Sequence, residues 1–258
     1  MQTDTQHKRL VVAVPGDYAP FQSLDANGQM VGLDVDVLKD LGRRMDRTIE
    51  IVVPDRFEDS FEMLRRGEVD VVAASHQHNQ QRQEDYGLLS TPAYYRSYPD
   101  VFWSQKSDSF NGDEFLKSNA TVAVERGTAM VDVLKTAGVS ESRIKLYDTN
   151  QAAVQAVLNG DADSVITKRP ALIEIPGALD RLEVRSQDVY ESIADRPNPG
   201  PAISVRADRP ALFAELLSSF MGQHSAGLHA ALASRYGVLP NEYYIVPLGD
   251  GLRSSLFV

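Results

Sequence analysis

The sequence predicts an α/β fold of two similar lobes. Short apolar runs alternate with stretches of helical periodicity, the alternation restarts after about residue 104, and one stretch of wording occurs twice. The first lobe opens with a predicted strand over Leu10–Val14, stopped by Pro15-Gly16. A helix over Asp34–Met45 then places Val35, Leu38, Leu41 and Met45 on one face. A strand at Ile49–Val53, a helix at Phe57–Arg66 and a strand at Val69–Ala74, after the helix-stopping Gly67, complete this run. Strands separated by helices imply a mostly parallel sheet covered on both faces.

The second lobe repeats the order, with strands at Thr121–Val124, Ile144–Tyr147 and Ser164–Thr167 and helices at Ala129–Ala137 and Gln151–Leu158. Met63–Val72 overlays Ala156–Val165: a helix end, Gly, an acid, a small apolar residue, Asp and a strand. A last strand, Ala202–Val205, and helices at Pro210–Met221 and Gly227–Tyr236 are too few for a third core, so they are expected to complete the first lobe. Lobe 1 is therefore expected over residues 1–97 and 202–258 and lobe 2 over residues 104–196. The chain would cross between them near residues 96–103 and 196–202, a two-strand hinge beside a ligand cleft.

Composition narrows the function. With 26 Lys+Arg against 36 Asp+Glu the net charge is −10, which argues against a nucleic-acid partner held by a broad basic surface. Cysteine is absent, removing disulfides, thiolate nucleophiles and zinc-thiolate or iron–sulfur sites. The longest apolar runs fall far short of the roughly 18 residues that span a bilayer. The polar stretch Met1–Arg9 has no apolar segment behind it and does not read as a signal peptide, which fits a cytosolic chain or a mature form with a new Met. His76 and His78, and His224 and His229, lack a carboxylate spacing that would complete a metal site, so neither metal nor cofactor is expected. The G-x-S-x-G, P-loop, H-E-x-x-H and G-x-G-x-x-G motifs are missing, and no catalytic residue stands out.

Ligands of open parallel sheets bind beyond the carboxyl ends of the strands. That rule selects Asp17, Tyr18 and Phe21 after the first strand, Phe57 after the second, and the loop Ser75–Arg82, with Gln77, after the third. From the second lobe it selects Gly127-Thr128 and Lys168-Arg169. Thr128 either caps its helix or helps present that helix's N-terminus to an anion. Arg82 either grips a carboxylate through two parallel bonds or is solvated in its loop. Tyr18 and Phe57 either pack in the core or form flat walls around a ligand.

Taken in order, these residues resemble the bacterial extracellular solute-binding proteins of family 3, the amino-acid-binding branch of the type II periplasmic binding proteins. The resemblance rests on Tyr18–Phe21, then Gly28…Gly32-Leu33-Asp34-Val35-Asp36, Leu64…Gly67-Glu68-Val69-Asp70 and Asn79–Arg82 in place of T-x-E-R. It continues through Ser90–Tyr95 for F-S-x-P-Y-Y, Gly127-Thr128, Leu158–Asp163 and Gly227…Tyr236-Gly237, spanning roughly residues 8–238. It implies the type II periplasmic-binding-protein fold, a periplasmic location with the signal sequence absent from this chain, monomeric action, and delivery of a small ligand to an ABC-transporter permease. It also implies that Arg82 holds a ligand α-carboxylate with help from Thr128, and that Tyr18 and Phe57 are the aromatic walls. Ser75 and Gln77 fall where a Gly carbonyl and a Thr usually meet the ligand.

The most informative departure is at Lys168. Where the family reads D-[AS]-V-x-x-D-x-P, with the last Asp accepting an α-ammonium, this chain reads Asp163-Ser164-Val165-Ile166-Thr167-Lys168-Arg169-Pro170. Two like charges about 4 Å apart repel by roughly 1 kcal/mol in water and several-fold more when partly desolvated. The expected ligand is therefore a small organic acid rather than an ordinary α-amino acid, with Lys168 and Arg82 on opposite lobes. The internal repeat pairs Lys168 with Ser75, in agreement. The alternative is that Lys168 swings into solvent and an acid such as Asp17 takes an amine. A cyclohexadienyl-dehydratase-like enzyme and a sensor domain are the rival functions.

Overall fold

The alternation of apolar and helical stretches becomes two five-stranded sheets with helices packed on them. The computed structural model describes residues 9–76, 80–95, 100–104, 112–184 and 201–238. The chain divides into two compact units. Unit 1 holds Met1–Gly16, Phe21–Arg96 and Pro199–Val258, and unit 2 holds Asp17–Pro20 and Ser97–Asn198.

The chain starts with β1 (Arg9–Ala13) and the short strands β2 (Asp17–Tyr18), β3 (Gln22–Leu24) and β4 (Met30–Val31). Then come α1 (Leu33–Arg44), β5 (Thr48–Val52), α2 (Asp59–Arg66), β6 (Val71–Val72), α3 (Gln80–Tyr86) and β7 (Leu88–Ser90). The next elements are β8 (Asp100–Ser104), α4 (Gly112–Lys117), β9 (Val122–Glu125), α5 (Ala129–Thr136), β10 (Ile144–Tyr147), α6 (Asn150–Asn159) and β11 (Ser164–Thr167). After α7 (Pro170–Ile173), α8 (Ala178–Arg181) and β12 (Leu182–Val184), the chain returns to unit 1 with β13 (Ser204–Arg206), α9 (Pro210–Ser225) and α10 (Leu228–Arg235).

The two sheets share one plan. In unit 1 the order is β5-β1-β6-β13-β7, and in unit 2 it is β10-β9-β11-β8-β12. The first three strands of each are parallel, whereas β13 and β8 run antiparallel to both neighbours. The sheets are thus mixed rather than mostly parallel. An antiparallel neighbour needs no crossover helix, and β8 and β13 are the strands at which the chain has just arrived from the other unit.

The duplicated wording has a physical basis in both units. Gly67 and Gly160 sit in the left-handed region, at φ 74° and 86°, and end α2 and α6. The following N–H groups turn back onto the helix, Glu68 to the Met63 carbonyl at 2.9 Å and Asp161 to that of Ala156 at 2.8 Å. These are helix-ending motifs that favour glycine. Asp70 Oδ2 then accepts the N–H of Val11 at 3.1 Å, and Asp163 Oδ2 that of Thr121 at 2.7 Å, so each aspartate ties the start of its strand to the neighbouring parallel strand, β1 or β9.

The unit 2 sheet is covered on both faces. Val122, Val124 and Ile166 pack with Trp103, Phe115 and Leu134, while Ala123 and Val165 pack with Val154, Val157 and Leu172, as the two-residue period of a strand requires. In unit 1, Phe61, Leu64, Val72 and Leu88 form one buried cluster. Among the described residues no helix is long and apolar enough to cross a membrane. The expected helix Phe57–Arg66 begins at Asp59, leaving Phe57 in the turn before it. The stretch read as a loop from Ser75 to Arg82 ends in α3, so Arg82 is helical. Gln77, His78, most of the expected crossings and the tail from residue 239 lie outside the described residues.

Candidate ligand-binding site

In unit 1 two of the expected residues meet around a cluster of rings. Arg82 projects from α3 with its guanidinium carbon 5.4 Å from the Phe57 ring centre and 4.6 Å from that of Phe61, both within cation–π range. Phe61 is buried and carries Phe57, His76 and Tyr86 around it at 5.4, 5.1 and 5.5 Å. Phe57 is half-buried: it packs on this cluster and keeps one side open. The sequence identified Arg82 and Phe57 but missed Phe61, whose helical spacing from Phe57 had suggested only a core role.

Ser75 follows β6 at φ 48°, a left-handed conformation that a non-glycine residue adopts only at a cost. Its surroundings hold it there. The Ser75 N–H donates to Asp34 Oδ2 at 3.0 Å, and its hydroxyl donates to the same oxygen at 2.9 Å and lies 3.2 Å from the Tyr95 hydroxyl. Tyr94 donates to the other oxygen, Asp34 Oδ1, at 2.5 Å. Asp34 is 1% exposed, and among the described residues three donors hold this buried carboxylate. Burial, reinforced by the Asp34 charge, pushes the Tyr94 phenol well above its usual range and keeps it a donor. The Ser75 hydroxyl therefore faces the protein. Asp34, Tyr94 and Tyr95 were legible as matching letters of the family pattern, but nothing in their spacing revealed that they fix this loop.

In unit 2 the expected residues fall at the ends of β9 and β11. Thr128 has the extended backbone of a helix N-cap before α5, but its hydroxyl donates back to the Glu125 carbonyl at 2.8 Å and makes no side-chain cap. Lys168 follows β11 and is 6% exposed, with Nζ 5.7 Å from the centre of the Tyr18 ring. Tyr18 and Lys168, selected for separate reasons, are thus neighbours, and the lysine is not extended into solvent. Asp17, beside Tyr18, is half-buried, and desolvation raises its carboxyl above the ordinary range, opposed by its own backbone hydrogen bond. Beneath this end of the sheet the Thr167 hydroxyl donates to Asn150 Oδ1 at 2.6 Å, both residues being buried. Among the described residues no group of three or more His, Cys, Asp or Glu is arranged for a metal.

Comparison with known proteins bears on the fold and the family. The probable ABC transporter arginine-binding protein ArtJ of Chlamydia trachomatis is 22% identical over 235 residues, covering 91% of this chain and 88% of that protein. The crystal structure of the substrate binding protein of an amino acid ABC transporter superposes with a TM-score of 0.77 at 18% identity, over 90% of this chain and 100% of that one. The ancestral amino acid-binding protein AncCDT-1, a precursor of cyclohexadienyl dehydratase, gives a TM-score of 0.76 at 21% identity, over 90% and 96% of the two chains. At such identities the likeness establishes the fold, that of the type II periplasmic binding proteins. The model of the bacterial extracellular solute-binding proteins, family 3, matches residues 10–238, and the chain belongs to that family.

Proposed function

We propose that the chain is a periplasmic solute-binding protein that captures a small organic acid, not an ordinary α-amino acid, and delivers it to an ABC-type transporter without chemical turnover. The observation that carries this reading is Lys168, buried at the carboxyl end of β11 against Tyr18. An ammonium group brought to a buried ammonium is repelled, and desolvation strengthens the repulsion; a carboxylate is attracted for the same reason. Arg82, backed by Phe57 and Phe61, supplies a second cation with the fork geometry that suits carboxylates. The ligand then carries two anionic ends, or one anion and a neutral acceptor, with Tyr18, Ser75, Gln77 and Thr128 completing its surroundings. Lobes over residues 1–97 with 202–258 and over residues 104–196, hinged near residues 96–103 and 196–202, would close because the ligand favours the closed state.

A second reading, an amino-acid ligand, is supported by the arginine-binding name of the relative and by Asp17, a half-buried carboxyl beside Tyr18 whose charged form would accept an amine. Thermal-shift titration with mono- and dicarboxylates, the standard amino acids and prephenate separates the readings. Stabilisation by carboxylates alone is expected. Stabilisation by amino acids alone would refute the Lys168 argument, and turnover of prephenate followed by absorbance would make the protein an enzyme. Lys168→Asp should weaken acid binding by about 2–5 kcal/mol.

A further inference from the structure

Asn150 is the first residue of α6 and is 6% exposed. Its neighbour Thr149 caps the helix, accepting the N–H of Ala152 at 3.1 Å, so Asn150 is not needed for that task. Its Oδ1 accepts the Thr167 hydroxyl at 2.6 Å, which fixes the rotation of the amide and points the pair of Nδ2 hydrogens elsewhere. Among the described residues Nδ2 has no hydrogen-bond partner. Nδ2 is also not one of the fully buried polar atoms, so its two N–H donors reach the surface and are open to an acceptor from outside the protein.

The position of Asn150 says what that is. Thr167 precedes Lys168 in the chain, and α6 packs against the Asp17–Tyr18 strand, whose tyrosine ring faces Lys168 Nζ. Asn150 and Lys168 therefore border the same segment, one offering an oriented amide donor and the other an ammonium. We infer that Asn150 is a ligand-binding residue, donating from Nδ2 to an oxygen of the ligand group that Lys168 attracts. The inference rests on the organic-acid reading above and sharpens it: the group bound in unit 2 is a carboxylate recognised through its oxygens, and an ammonium there would meet donors on two sides.

The competing role is structural, a tie between α6 and β11. Asn150→Asp separates the two, since a carboxylate still accepts from Thr167 and suits a helix N-terminus, while both Nδ2 donors vanish. Asn150→Ala removes the donors without adding charge. Wild type and both variants would be melted thermally and titrated calorimetrically with succinate and with L-arginine, and the Asn150 side-chain amide followed by NMR. Expected are an Asn150→Asp melting temperature no lower than wild type, a shift of the Nδ2 resonances on saturation with succinate, and affinity for succinate lower by about tenfold in Asn150→Ala and further in Asn150→Asp. Unmoved Nδ2 resonances, or succinate affinities within about twofold of wild type in both variants, would overturn the assignment while leaving the organic-acid reading intact. Binding of L-arginine in place of succinate overturns the organic-acid reading. In that case Asn150 keeps its role only if its Nδ2 resonances shift and Asn150→Asp weakens arginine; unchanged or tighter binding removes it. Silence with both probes overturns both claims.

Discussion

At the scale of single residues, the backbone of Ser75 in unit 1 depends on the buried carboxylate of Asp34. Asp34 holds Ser75 in a left-handed conformation through the Ser75 N–H and hydroxyl, and Tyr94 holds Asp34. Ser75→Ala keeps the strained backbone and loses one of three donors to a buried carboxylate, so it should destabilise by about 1–3 kcal/mol. Ser75→Gly loses the same hydroxyl but relieves the left-handed strain, worth about 1 kcal/mol, and should come closer to wild type. Urea unfolding of the two variants reads the difference, and equal losses would mean that the backbone strain contributes nothing. The sequence was informative where a residue type carries its own chemistry: Arg82 and Lys168 were selected because a guanidinium and an ammonium in the stretches beyond the strands invite an anion, and the structure sets Arg82 on Phe57 and Phe61 and Lys168 beside Tyr18. It was silent about Asp34, Phe61 and Asn150, whose roles come from partners 41, 21 and 17 residues away.

Among the secondary-structure elements, the repeated Gly-acid-x-Asp segment does the same work twice. Gly160→Ala meets no atom within 4 Å of the new Cβ, so its cost is the left-handed backbone alone, about 1 kcal/mol. Gly67→Ala adds a contact at 2.6 Å, but with the end of the flexible Arg206 side chain, which can move aside. Similar losses are therefore expected at both positions by chemical denaturation, and a much larger loss at Gly67 would show that Arg206 is held in place. The elements with the strongest local signals were legible in the sequence, namely β1, α1, β5, β9, β10 and α6, because their periodicity, glycines and caps are encoded nearby. The antiparallel β8 and β13 were not legible as such, since their direction is set by where the chain re-enters a sheet. The helix α3 was hidden by a polar composition, Gln80-Gln81-Arg82-Gln83-Glu84-Asp85, that lacks an apolar stripe.

For the molecule as a whole, acid stability should be shaped by a buried histidine. His229 lies against Phe220 and Tyr94, with ring centres 4.7 and 5.9 Å away, and its Nε2 is 3.1 Å from Gln223 Oε1. Burial, with a smaller contribution from His224 and against the attraction of Asp40, lowers its pKa from 6.5 to about 3. The unfolded chain takes up this proton first, so stability is complete above pH 6.5, falls as pH drops from 6.5 towards 3, and loses nothing further from this group below that. Between pH 7 and pH 5 the loss is about 2 kcal/mol. His229→Gln should flatten that slope in urea-unfolding midpoints, and an unchanged slope would assign the acid sensitivity elsewhere. A last consequence concerns the order in which the chain can acquire its structure during synthesis. The fourth strand of the unit 1 sheet, β13, lies beyond all of unit 2 in the sequence, whereas β8 to β12 form an uninterrupted stretch. While the ribosome is still translating residues before Ser204, unit 2 already holds every strand of its sheet, but unit 1 has an open edge at β6 and an unattached β7. The part synthesised first is therefore expected to be completed last, and a chaperone that guards exposed strand edges would find its substrate in the N-terminal third of the nascent protein.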